Sequence, residues 1–322
     1  MLSHQNARFA PLPLSWSVLA VLLLASSASA DPWLLAPGDH YNSLGGSYFS
    51  ADSYHDLNGN RSSLSGGGLH EEKAIYSYNE YGWTKGRTFI LGFPFQGVTR
   101  RAGSAAADGG RTETGFGDLL VGVRFKIHDG PTALSLEGDW NPPMGYNRNL
   151  SPSIGEGASS LLGKLELGSP VGRHGFLELA GGYRSYLDKL APTDQMVADA
   201  TIGFWFGRSL LIAGRYDGHF GRPSADSIGT DPVTRRPIVT KHLWRVLPGD
   251  ATPGTTSDQV TTHRAGPMLV YRVDDHLDLI AGSMHTASAK NALHVDQFYV
   301  AVAVKQTRLS RLQGLLGSAH NP

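Results

Sequence analysis

The strongest constraint in this chain is a period of two. Along 176–187 the odd positions are Leu177, Leu179, Gly181, Tyr183, Ser185 and Leu187, while the even ones include Glu178 and Arg184. A strand sends successive side chains to opposite faces, so one face here is apolar and the other charged. Two further segments repeat the pattern. Met196, Ala198, Ala200, Ile202, Phe204 and Phe206 oppose Val197, Asp199, Thr201 and Trp205; Leu210, Ile212, Gly214, Tyr216 and Phe220 oppose Arg215, Asp217 and His219. Upstream, Phe89, Leu91, Phe93 and Phe95 alternate with Thr88, Gly92 and Gln96. Leu119, Val121, Val123, Phe125 and Ile127 oppose Asp118, Arg124 and Lys126. Leu134, Leu136 and Trp140 oppose Ser135, Glu137 and Asp139, and Leu161, Leu165 and Leu167 oppose Lys164 and Glu166. Near the end, Phe298, Val300, Val302 and Val304 oppose Tyr299, Ala301, Ala303 and Lys305. Segments 41–55, 72–84, 261–274 and 277–286 are strand-like with no clear register.

Connections alternate in length. Tight joints fall at 85–86, 128–131, 171–175, 207–208 and 274–276. Longer polar stretches fall at 56–68, 102–113, 142–157, 188–194, 222–259 and 287–293. Short turns on one rim and long loops on the other are how outer-membrane barrels are built, the short turns being periplasmic. The expected fold is all-β: a transmembrane antiparallel up-and-down β-barrel of about 12 strands.

A water-soluble sandwich also alternates, but its apolar face is the buried one. Here the polar face carries a charge in nearly every strand, and aromatic residues gather near strand ends (Trp83, Phe95, Trp140, Tyr183, Phe206, Phe220, Tyr271). Both features favour lipid outside. Export agrees. The apolar run 14–25 is followed by Ala28-Ser29-Ala30, a small-residue cleavage pattern that makes Asp31 the first mature residue. At 12 residues the run is short of the ~20 a spanning helix needs. The division is therefore a signal peptide over 1–30, a barrel over 31–306 and a tail over 307–322, with a bacterial outer-membrane location.

The absence of cysteine removes disulfides and thiolate metal sites. Losing the leader removes Arg8 and no acid, so 28 bases become 27 against 28 acids. Such a balance gives no electrostatic reason to expect nucleic acid. Glycine supplies 40 of 322 residues, well above the usual ~7%, which favours turns and strands over helices.

Three stretches, 33–41 (WLLAPGDHY), 78–84 (YNEYGWT) and 114–127 (TGFGDLLVGVRFKI), resemble the meta-pathway phenol-degradation family of outer-membrane β-barrel proteins. The resemblance implies a barrel that passes aromatic or other small hydrophobic compounds, and it brings no defined active site. One departure is the end of the chain. Such barrels commonly close on a terminal aromatic residue, whereas here sixteen residues follow Gln306, with Leu309, Leu312, Leu315 and Leu316 at helical spacing beside Arg308 and Arg311. They fit a short amphipathic helix at the membrane interface or an undocked tail.

Chemistry finds little local support. The H-x-S arrangement of outer-membrane phospholipase occurs at none of the thirteen histidines. His70-Glu71-Glu72 lacks the second histidine of a zincin, and the glycines near Thr114 precede a strand, where a phosphate loop precedes a helix. No enzyme, cofactor or metal site is expected.

The constellation of interest is the set of lumen-lining charges. Its acids are Asp118, Glu137, Asp139, Glu166, Glu178, Asp199, Asp217 and Asp278; its bases are Arg124, Lys126, Lys164, Arg184, Arg215, Arg264 and Arg272. Two readings stay open: they line a water-filled passage and select a solute, or they close the lumen with their own ion pairs. The basic loop 222–259 suits a constriction, a contact with lipopolysaccharide phosphates, or a solvated surface segment. The expected function is passive movement of a small, aromatic or hydrophobic molecule by a monomer in outer-membrane lipid and lipopolysaccharide. The rivals are a non-transporting surface or structural barrel acting through its loops and, third, a lipid-modifying hydrolase.

Overall fold

A computed structural model describes residues 33–101, 110–146, 154–187, 194–221 and 260–307. The proposed leader, most of the tail and the loop 222–259 lie outside them. The strands in chain order are β1 (His40–His55), β2 (Arg61–Ser63), β3 (Leu69–Thr84), β4 (Arg87–Arg101), β5 (Arg111–Phe116), β6 (Leu120–His128) and β7 (Ala133–Asn141). They continue as β8 (Ser160–Val171), β9 (Gly175–Tyr186), β10 (Gln195–Phe206), β11 (Leu210–Gly221), β12 (Thr261–Arg272), β13 (Leu277–Lys290) and β14 (Ala292–Gln306).

Sequential strands pair antiparallel, and β1 pairs with β14 from His40↔Gln306 to His55↔Ala292, which closes the sheet. β5 and β6 both pair with β4 and act as one interrupted strand. β2 only folds back on the end of β1. The ring is therefore a closed 12-stranded up-and-down barrel. Closure removes the edges, so the backbone hydrogen bonds of the wall are made within the protein, as a bilayer interior requires.

The faces are inverted relative to a water-soluble protein. Leu44, Met196 and Val300 are 60%, 58% and 62% exposed, whereas Arg124 and Ser135 are fully buried. Large apolar groups outside and charges inside fit lipid around the barrel and polar matter within it. The outward side chains are those the period of two assigned to the apolar face: Phe125, Leu136, Leu165, Ile202, Phe204 and Phe298 all stand exposed.

Five tight turns join the strands at one rim, among them Lys85-Gly86, where Gly86 takes a φ of +82° that a residue with a side chain rarely adopts. Some assignments differ from the sequence reading, among them the loop 56–68, which contains β2. The stretch 287–293, expected as a loop, is strand on both sides of a tight turn at Asn291, whose φ of 51° its short polar side chain tolerates. Arg111–Glu113, assigned to a loop, belongs to β5. Asp118, assigned to a strand, sits in the break between β5 and β6 and forms an isolated bridge with Pro143.

Candidate functional site

Inside the barrel one wall is filled. Alternation on β3, β6, β7 and β8 brings Glu80, Arg124, Glu137 and Glu166 together. Arg124 Nη1 lies 3.1 Å from Glu80 Oε1, Nη2 2.5 Å from Glu137 Oε2 and Nε 2.8 Å from Glu166 Oε2. Lys164 Nζ adds contacts of 2.5 Å to Glu137 and 3.5 Å to Glu166. The Tyr78 hydroxyl donates to Glu80 at 2.7 Å, and the Ser135 hydroxyl donates to Glu166 at 2.9 Å. Asp139, 5% exposed, lies against Gly122 on the neighbouring strand. A guanidinium offers five fixed donors, which is why one arginine can serve three carboxylates from three strands.

A second group spans β11 and β12, where Asp217 accepts from Arg264 and lies 2.9 Å from His219 Nε2. A third lies at the short-turn end: Asp278 Oδ2 is 2.7 Å from Lys305 Nζ and Oδ1 is 3.3 Å from Arg272 Nε, with the Arg272 guanidinium 4.3 Å from the Trp205 ring centroid. Lys126 pairs with Asp129 of the adjoining turn at 2.7 Å.

At the long-loop end Asp118 organises a loop. Its carboxylate accepts the Tyr146 hydroxyl and the Glu156 backbone N–H, the latter at 2.8 Å. Glu156 in turn lies 3.4 Å from Arg184 of β9. Gln96 donates to the Ile154 carbonyl, and Ile154 is 6% exposed. The segment 154–157 thus folds onto β4, β9 and the β5–β6 break. The loop proposed from the sequence as a constriction, 222–259, lies outside the described residues.

The short-turn end is crossed by the segment ahead of β1. Leu35 N–H donates to Thr88 Oγ1 on β4 at 3.3 Å, and Gly38 N–H donates to the Gly82 carbonyl at 2.7 Å. Trp33 packs on a cluster of Phe176, Leu211 and Val270 with Trp205, Met268 and Ile280. These residues belong to β9–β13, and β4 stands half-way round the ring from β11. The segment therefore spans the interior over an apolar floor.

The fifteen residues singled out in the sequence do not form one site. Most are held in the groups above. Glu178 is half-buried on β9, and Asp199 and Arg215 are exposed at inward-parity positions of β10 and β11. The sequence reading missed Glu80 and Trp33. Glu80 lies in a segment whose two faces are both mixed, and Trp33 precedes the first strand, where no periodicity exists. Among the described residues, no three His, Asp or Glu side chains converge as metal ligands.

A closed 12-stranded barrel with an apolar exterior and a charged interior defines a transmembrane protein of the outer-membrane type. The chain belongs to the family described as "Putative MetA-pathway of phenol degradation", whose model matches residues 51–301. An outer membrane channel from Pseudomonas putida F1 shares the fold with a TM-score of 0.65 and 14% identity, over 87% of this chain and 100% of that one. The translocator domain of the autotransporter NalP from Neisseria meningitidis aligns at a TM-score of 0.45 and 10% identity, over 90% and 95% of the two chains. The toluene transporter TodX of P. putida aligns at 0.36 and 10%, over 87% and 92%. No curated protein matches the chain.

Proposed function

We propose that this protein is a passive outer-membrane channel for a small aromatic or hydrophobic molecule, acting as a monomer without catalysis. One observation carries the reading: the interior is not uniformly closed. The β3–β8 wall is packed by the Arg124 group, whereas Asp199 and Arg215 on the opposite side are exposed above an apolar floor that includes Trp33. Charged groups exposed inside a barrel imply water there, and an apolar floor suits a solute that is itself largely apolar. Membership of the phenol-degradation family and likeness to a P. putida channel support the reading. The same proposal includes export with cleavage after Ala30, surroundings of outer-membrane lipid and lipopolysaccharide, and lumen-lining roles for the charges named above.

The crossing by Trp33 favours one rival, a plugged barrel that acts through its loops. Planar-bilayer recording and liposome swelling with purified protein separate the two. Discrete conductance steps, with swelling in small neutral aromatics, are expected. A barrel that inserts but never conducts would overturn the channel reading.

A further inference from the structure

We infer that Arg215, Tyr299 and Tyr76 form a recognition site inside the lumen for a small aromatic carboxylate. The inference rests on the channel reading and deepens it by naming a solute class.

Two tyrosines lie flat against the wall, and glycines make this possible. A Cβ on Gly282 of β13 would fall 2.4 Å from Tyr299 Oη, and one on Gly45 of β1 would fall 2.4 Å from Tyr76 Cζ. The hydroxyl end of each ring therefore rests over the backbone of a neighbouring strand. Tyr299 remains half-buried, and its hydroxyl has no hydrogen-bond partner among the described residues. The Arg215 guanidinium lies 6.0 Å from the Tyr299 ring centroid.

Arg215 differs from the inward bases grouped above. Arg124, Lys126, Lys164, Arg184, Arg264, Arg272 and Lys305 each have a carboxylate within 4 Å. Among the described residues Arg215 has none, and it is exposed. An unpaired guanidinium beside an aromatic face can take a carboxylate in two parallel hydrogen bonds while the attached ring stacks in an offset arrangement.

The floor completes the site. One inward position nearer the short-turn end, Arg215 gives way to Ala213, which is 4% exposed and pairs with Met268. Likewise Tyr299 gives way to Ala301, which is 8% exposed and pairs with Ile280. Met268 and Ile280 both pack on the Phe176–Leu211–Val270 cluster. Charge thus lies above and apolar surface below, as on a benzoate-like ion. On the other side Asp199, opposite Asp217 and one step toward the long loops, is also exposed. It repels a second negative charge, so the site favours monoanions.

Titration calorimetry on purified, detergent-solubilised protein tests the site with benzoate, acetate, phenol and phthalate. Benzoate should bind tightest, with phthalate weaker. Arg215→Met should weaken benzoate by about tenfold or more, as expected for a lost charge-assisted bond, and Arg215→Lys should restore part of it. Tyr299→Leu should narrow the gap between benzoate and acetate. The heat-modifiable gel shift of each variant reports that the barrel is folded. Equal benzoate affinity in folded Arg215→Met, or wild-type protein that binds acetate as well as benzoate, would overturn the site. Conductance is read separately: a conducting protein indifferent to benzoate loses the site and keeps the channel, and a benzoate-binding protein that never conducts loses the channel and keeps the site.

Discussion

Arg124 Nη2 lies 2.5 Å from Glu137 Oε2 on the adjacent strand, with the two side chains 0% and 4% exposed. Glu80 and Glu166 meet the same guanidinium from β3 and β8, so a single cation ties a fan of strands together. The fan runs through β4, which pairs with β3 on one side and β6 on the other. Removing one partner of a buried pair leaves uncompensated charge and typically costs about 3–5 kcal/mol. Arg124→Met should lower the unfolding free energy by that order, read as a fall in the denaturant midpoint, and Arg124→Met with Glu137→Gln should recover part of the loss. An unchanged midpoint in the single variant would show that the group contributes nothing to folding.

The two faces of the wall should respond differently to charge. Leu136 and Ile202 point outward at 47% and 45% exposure, and Arg at either should cost about 2–4 kcal/mol near the bilayer centre. Thr201 is inward and half-buried, so Arg there should cost much less. Ser135 is inward too, but it is fully buried against Glu166. Arg at Ser135 should therefore damage the barrel by overpacking. Refolding yields into lipid vesicles rank the four variants, and equal damage at Ile202 and Thr201 would contradict the assigned faces.

Tyr146, Asp118 and Glu156 form a latch at the long-loop end. Tyr146→Phe and Asp118→Asn should each free the segment 154–157 and hasten its cleavage by protease added to intact cells. An epitope tag inserted near residue 145 should be labelled from outside, whereas one in the turn 129–132 should not. Labelling of that turn would reverse the orientation.

Trp33 bridges the short-turn end to the Phe176 cluster. Trp33→Ala should widen the passage and raise unit conductance in planar bilayers. The Leu35 and Gly38 hydrogen bonds still hold the rest of the segment in place. Conductance equal to wild type would mean that the solute path avoids Trp33.

Asp56 offers a pH test outside the membrane. Its carboxylate accepts the Asn60 backbone N–H at 2.8 Å, then the Asn60 side-chain amide at 3.1 Å and the Asn58 backbone N–H at 2.8 Å, which together hold it below the ordinary carboxylate range. A lowered folded pKa contributes order that is present above the unfolded value, about 3.9. That order is lost as pH falls through the folded value. Protection of the Asn58 and Asn60 amides, relative to their intrinsic exchange rates, should fall below about pH 4. Asp56→Ala should show low protection at every pH, and a wild-type protection factor that does not change with pH would count against the carboxylate's role.

Much of this barrel was legible in the linear order of residues. Alternation needs only neighbours in sequence, so Phe125, Leu136 and Ile202 declared their face before any strand had a partner. Turn chemistry is equally local, and Lys85-Gly86 and Gly207-Arg208 marked the rim of short joints. β3 was harder because Tyr76, Tyr78 and Glu80 face Ile75, Asn79 and Tyr81, so neither side reads as purely apolar. What the tertiary structure alone decided is which inward charges meet. Arg124 finds Glu80 forty-four positions away, and Arg215 finds none of the described acids within salt-bridge reach, because closure and register set those distances. Trp33 reaches β11 only because the ring brings the two to one end of the molecule. Side-chain direction follows from the pleat of each strand, but pairing across a lumen is a property of the closed ring.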